Sequence, residues 1–219
     1  MRQCDTLMAI LLERVSKEGT HDMDITYRTA AKADCLQMAE MITIASGGVV
    51  EFLFHDFTPE LTPVQIVAHN LENSPGSHTY KNAIVAEYDD RVIGLALSFP
   101  SHFHEITTEM RQVFPPDRLE HLSNFYAARV EDSFFLDALC VDQQLRKNGI
   151  GGKLISLTKK RAKQNDFDTL SLVVFADNTA ALSVYHAHGF EIVAPLELNS
   201  HERIPHKGGC FLMKSHIDD

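Results

Sequence analysis

The sequence lacks most features that staple small chains or anchor chains to membranes. Its four cysteines, Cys4, Cys35, Cys140 and Cys210, are scattered, and none forms a C-x-x-C pair. That spacing argues against a secreted disulfide framework and predicts reduced thiols in a cytoplasmic protein. Long apolar runs are also missing. The longest early one, LMAILL at 7–12, gives way at once to Glu13 and Arg14. It is too short for a membrane span and poor as a signal-peptide core, so no membrane association is expected. Positive charge is scarce: 20 Lys and Arg stand against 30 Asp and Glu, a formal net charge of −10. Such a surface disfavours nucleic acid and attracts cationic ligands such as amines. No internal repeat or low-complexity linker interrupts the chain.

What is present is enough for a core without disulfides or metal. A chain of 219 residues buries roughly 70% of the surface it exposes when unfolded. Leu7, Ile10, Leu11 and Val15 share one helical face, so residues 1–22 read as an N-terminal helical extension ahead of one domain at 23–219. Within that domain, 24–30 reads as a strand, and a helical period follows until Gly47-Gly48 stops it. The run VVEFLFHDF fits strand or helix equally. Thr62 and Pro63 cap a helix at TPVQIVAHNLEN. Strands at 83–88 and 92–99 form a hairpin around Asp89-Asp90. Buried strands at 133–141 and 169–175 flank a helix at 150–164. A second helix starts at Asn178 and ends at Gly189, and two further strands close the chain. The expected fold is α/β of mixed type, a central and mostly antiparallel sheet flanked by helices.

The densest signal is LRKNGIGGKL at 145–154, which places three glycines and three cations directly before a helix. Free backbone N–H groups and the positive dipole end at a helix start suit an anion, above all a phosphate. A P-loop is excluded, because Lys153 is followed by Leu154 rather than Ser or Thr. A dinucleotide fingerprint is excluded, because Leu154 stands where its last glycine belongs. What remains is R-x-x-G-x-G, carried by Arg146, Gly149 and Gly151. An ordinary tight strand-to-helix turn would look the same. The second element is downstream: Asn178 and Tyr185 lie seven residues apart, on one face of the next helix.

Together these two motifs resemble the GNAT superfamily of acyl-CoA-dependent N-acyltransferases. There, R-x-x-G-x-G/A grips the pyrophosphate of coenzyme A, and N-x-x-A-x-x-x-Y-x-x-x-G-F follows beyond the next strand. The matching residues are Asn178, Ala181, Tyr185, Gly189 and Phe190, and the order of elements fits over residues 24 to 214. The resemblance implies an N-acetyltransferase in which an amine attacks the thioester of acetyl-CoA directly, with no metal. It implies a cofactor site made of Arg146, Lys147, Asn148, Gly149, Ile150, Gly151 and Gly152 around the pyrophosphate. Arg146 either grips the anion or shapes the turn. Leu139, Cys140 and Val141 offer a strand edge to pantetheine, and Asn178 and Tyr185 complete the cofactor site. Tyr185 matches the general acid for the leaving thiolate, the alternative being a packing tyrosine.

For a base, the candidates are Asp137, set within an apolar strand where an unpaired carboxylate is costly, and Glu87 on the hairpin. Cys140 alternates away from its neighbours and reads as core. The pairs His186/His188 and His102/His104 have metal-like spacing but no third ligand. A non-catalytic acyl-CoA-binding or regulatory module is the alternative function. The acceptor is expected to be a small-molecule or peptide amine. Residues 99–132 are too long for a simple connection and read as the acceptor-recognition insert. Alternatively, their apolar face (Leu119, Leu122, Phe125) meets a second subunit in a homodimer.

Overall fold

A computed structural model describes residues 23–218; the expected N-terminal helix at 1–22 lies outside them. Seven strands form one sheet in the order β1-β2-β3-β4-β5-β7-β6. They are β1 (Thr26–Thr29), β2 (Ala83–Tyr88), β3 (Arg91–Pro100), β4 (Phe134–Val141), β5 (Thr169–Phe175), β6 (Glu191–Leu196) and β7 (Cys210–His216). All neighbours pair antiparallel except β4 and β5. The mixed, mostly antiparallel sheet expected from the hairpin is therefore present.

Helices cover both faces. On one face lie α1 (Cys35–Ala45) and α3 (Pro63–Asn73). Met38, Ala39 and Leu71 are buried there against Val85, Leu95 and Leu97 of the sheet. The sequence cap of α3 is realised in full: Thr62 accepts from the Gln65 backbone, and Gln65 reaches back to the Thr62 N–H, satisfying two orphan donors. On the opposite face lie α7 (Ile150–Gln164) and α8 (Thr179–Ala187), with Ile150, Leu154 and Ile155 packed on Ile84, Ile93 and Ala96.

The ambiguous run VVEFLFHDF resolves as a helix, α2 (Val49–Phe54). Val49, Phe52 and Leu53 bury into a third cluster with Phe114, Leu119 and Leu122. The long insert folds as α4 (Thr108–Val113), α5 (Pro116–His121) and α6 (Ser123–Ala127). Leu119 and Leu122 are buried in the chain's own core, and Phe125 packs against it. Leu119 and Leu122 of that apolar face therefore point inward, with Phe125 partly buried beside them.

The joint between α1 and α2 is tight. Gly48 has φ of +100°, and a Cβ there would lie 1.7 Å from the Arg203 carbonyl oxygen. Replacing Gly48 with Ala is expected to destabilise the protein by more than about 2 kcal/mol, since both backbone strain and the clash oppose it. Urea denaturation of Gly48→Ala beside wild type measures this, and an unchanged midpoint would contradict the joint's role.

Candidate active site

Strands β4 and β5 pair only at Phe134–Leu170 and Phe135–Ser171. Beyond that point they part. The closed end of the seam is pinned by buried Ser133 and Ser171, whose hydroxyls lie 2.6 Å apart. From Leu136 onward, β4 has no β5 partner, so one edge of its backbone faces open space. A cleft of 1730 Å³ opens there, larger than the roughly 300–1,000 Å³ of a pocket for one small ligand.

One half of the cleft is the start of α7. Gly149 caps the helix with φ of +79°, and Lys147 before it is also left-handed at +68°. Such backbone favours glycine and aims successive N–H groups into one concavity. Lys153 is the first residue to bond back, to the Gly149 carbonyl, so the N–H groups of Ile150, Gly151 and Gly152 have no intrahelical acceptor. Arg146 donates from Nε to the Val141 carbonyl at 3.2 Å, which ties the turn to the end of β4. Asn148 holds the turn from inside by donating to the Leu145 carbonyl. Arg146, Lys147 and Lys153 line this half. Cations, a dipole end and free N–H groups make it fit for a pyrophosphate.

Helix α8 forms the adjoining wall. Asn178 spends its side chain on the cap, accepting from the Ala181 N–H at 3.1 Å, while also lining the cleft. Tyr185 is 8% exposed, packs on Phe190 with ring centroids 5.5 Å apart, and reaches the cleft. Burial pushes its phenol well above the ordinary tyrosine value, so it stays a proton donor throughout the neutral range. Leu139 and Val141 pack toward α7 and line the cleft. Cys140 points the other way into the core, so only its backbone is available to a ligand.

Asp137 lines the cleft from β4, and an irregularity puts it there. Leu97 faces Ala138 while Ser98 faces Leu136, so Asp137 has no partner on β3. This is a β-bulge, a device that re-aims one side chain. Its effect shows in the packing: Leu136 joins the α7 core, but Ala138 and Cys140 join the α1/α3 core instead. Asp137 meets His78, with Oδ2 3.4 Å from Nε2. The carboxylate is 19% exposed and the imidazole 50%. Burial pushes Asp137 up, but His78 and then His104 outweigh it and hold the carboxyl below its ordinary value. Asp137 lifts the half-exposed His78 above the ordinary histidine value.

Behind this pair, His104 is buried and stacks on Phe135 at 4.0 Å. Its Nε2 donates to the Phe125 carbonyl at 3.0 Å, and burial lowers its pKa below the ordinary histidine value. His104 is thus a buried packing residue behind the cleft lining. Tyr126 lines the same end and is driven upward by burial and by Asp137.

Glu87 is not at this site. It receives Arg28 Nε at 2.9 Å, and the same guanidinium grips Asp34 at 2.7 and 3.0 Å. That cluster lies at β1 and β2, and Glu87 does not line the cleft. A strong local ion pair, not the reaction centre, explains this carboxylate. His186 and His188 serve structure: His188 bonds the Val184 carbonyl at 2.8 Å, and His186 meets the Phe190 carbonyl at 3.1 Å. Among the described residues, no group of three or more His, Cys, Asp or Glu converges on a metal position. No described helix is long and apolar enough to cross a membrane. The residue that sequence reasoning missed is His78. It lies in a turn far from β4 in sequence, and no motif marks it.

Comparison with known proteins agrees with this geometry. Residues 50–190 match the Acetyltransferase (GNAT) family. An N-acetyltransferase from Staphylococcus aureus Mu50 shares the fold with a TM-score of 0.64 at 16% identity, over 86% of this chain and 99% of its own. An acetyltransferase from Salmonella typhimurium, solved with its cofactor acetyl-CoA, superposes with a TM-score of 0.56 at 17% identity, over 89% of this chain and 95% of its own. The chloroplastic GCN5-related N-acetyltransferase 7 of Arabidopsis thaliana is 39% identical over 57 residues, which span 26% of this chain and only 21% of that protein. On the match across most of its core domain, the chain belongs to the GNAT family of acetyltransferases.

Proposed function

We propose that the protein transfers an acetyl group from acetyl-CoA to a primary amine by direct attack. The observation that carries this reading is the parting of β4 from β5 between a helix-start anion cradle and Tyr185. An unpaired strand edge suits the amides of a pantetheine arm, which add to it like a further strand. The cradle at Gly149–Gly152 suits the pyrophosphate. The Salmonella structure solved with acetyl-CoA has the same fold, which supports that choice of donor. Bound acetyl-CoA supplies the thioester, the activated carbonyl at which the new C–N bond forms as the C–S bond breaks.

The chain's own groups handle the protons. Tyr185 is held protonated by burial and donates its hydroxyl proton toward the departing sulfur. An amine with a pKa near ~10 arrives as an ammonium ion, drawn in by the Asp137 carboxylate. Asp137 itself, held below its ordinary value, is a poor resting place for a proton. His78, lifted above its ordinary value, is the better acceptor, with Asp137 as its partner. A module that only bound acyl-CoA would need neither the pair nor the tyrosine at the same cleft.

Three outcomes follow from these roles. Gly151 has ordinary φ, and an added Cβ meets only Val141 Cγ2 at 3.7 Å, so Gly151→Val is expected to fold. At one hundred times Kd, acetyl-CoA should stabilise the wild type by about 2.7 kcal/mol through ligand linkage. The variant should lose that thermal shift, and an unchanged shift in a folded variant would reject the cradle. Tyr185→Phe should slow turnover by roughly ten- to a thousandfold with acetyl-CoA affinity preserved, as steady-state thiol release reports; full activity would assign the proton to water.

The third outcome is a pH profile. His78 must be neutral to accept a proton, so kcat/KM rises with pH through its raised pKa. The groups facing it are Asp137 on β4, His104 beyond β3, and the Ser77 hydroxyl at 3.2 Å. In Asp137→Asn the upward pull of the carboxylate on His78 is gone. The rising limb should then move to lower pH while the maximal rate falls. A limb that stays in place would exclude His78 as the titrating group.

A further inference from the structure

The cleft lining separates charge by function. Among the described residues, its Lys and Arg residues, Arg146, Lys147 and Lys153, all lie in the α7 half, and its only Asp and Glu residues are Asp137 and Glu109, in the other half. That other half, bounded by α1 to α4 and α6, has no Lys or Arg among the described residues. Its walls are mostly apolar, with Ser46, Asn70, Ser74, Ser77 and Thr107 as the uncharged polar exceptions. Phe54, Phe57 and Phe114 form a ring cluster with centroid separations of 5.8, 5.1 and 5.7 Å. Three large apolar side chains that line it are left open to solvent: Ile44 near the end of α1 is 65% exposed, Phe57 is 42% exposed and Val113, at the end of α4, is 54% exposed. Singly exposed apolar residues need no explanation, but three lining one concave wall beside a reaction centre form a surface a ligand covers.

Resting on the acetyl-transfer reading above, we propose that the acceptor is a monoamine borne on an aromatic body, free of carboxylate and phosphate groups. The ammonium end is matched by Asp137 and by the chain's net charge of −10, and the ring is matched by the Phe57–Phe114 wall. The alternatives meet specific costs. An amino acid would bring a carboxylate into a half-cleft whose described lining has no Lys or Arg and whose His78 is already engaged by Asp137, and an unpaired buried charge is expensive. A polyamine would bring several charges to a lining with two carboxylates, one already engaged by His78. A peptide N-terminus would lay backbone N–H and C=O groups against phenyl rings that cannot bond them. An aromatic ring instead gains edge-to-face contact with the existing cluster.

The test is a thiol-release assay with fixed acetyl-CoA and four amines: 2-phenylethylamine, L-phenylalanine, spermidine and a tetrapeptide with a free N-terminus. The expected result is a kcat/KM for 2-phenylethylamine at least about tenfold above each of the others. Phe57→Ala and Val113→Ser, on separate elements of the wall, should each raise the KM for 2-phenylethylamine about three- to tenfold. Both should leave the acetyl-CoA thermal shift unchanged, which also certifies that each variant is folded. Preference for spermidine, phenylalanine or the peptide would overturn the proposal, as would a wall variant with an unaltered amine profile. Turnover of no amine, with the acetyl-CoA shift intact, would overturn the acceptor assignment alone. Loss of that shift in the wild type would instead overturn the transferase reading on which it rests.

Discussion

The parting of β4 from β5 is the feature on which the rest of the molecule depends. A parallel pair buried in a sheet normally satisfies every backbone group along its length. Here pairing stops after Phe135 and Ser171, leaving donors and acceptors of β4 without strand partners. The cost is tolerable because the opening is a cleft and not a buried seam. The flanking elements hold it open. Helix α7 is anchored on one face by Leu154 and Ile155, while β7 pairs with β5 along the whole of Thr169–Phe175. With both sides fixed, the two strands have no freedom to close on each other.

Two further devices give the cleft its polarity. The left-handed backbone at Lys147 and Gly149 turns N–H groups toward one half, and Arg146 ties that turn to Val141. The bulge at Asp137 turns a carboxylate into the centre, where His78 shares it. The proposed chemistry uses that polarity directly: anion on one side, cation on the other, and a buried phenol in the same cleft. The same ordering matches the placement of the described cleft lysines and arginine at the start of α7.

Much of this was legible in the sequence. Glycine and proline mark the ends of α1 and the start of α3 because their backbone limits are local. The Asn178 cap and the glycine turn are local too, and both form as their residue types require. The pieces that escaped depend on distant partners. Alternation along FFLDALCV gives no hint of a bulge, since the break in register is set against β3. Glu87 looks like any carboxylate on a hairpin until Arg28 is brought to it by the β1–β2 pairing. His78 follows a turn-rich SPGS segment and acquires meaning only beside Asp137. The run VVEFLFHDF is short and apolar, and periodicity alone does not separate a buried helix from a strand in such a run. Its burial beneath Leu119 and Leu122 decides the matter.

The central claim is that the open β4 edge and the first turn of α7 together receive one acyl-CoA molecule. Residue-resolved amide hydrogen exchange, with and without acetyl-CoA, tests it most directly. The account predicts that added acetyl-CoA slows exchange at the amides of Leu139–Val141 and of Ile150–Gly152, with little change in β1 or β6. Protection confined to other elements, or none at these two segments while acetyl-CoA is bound, would contradict it.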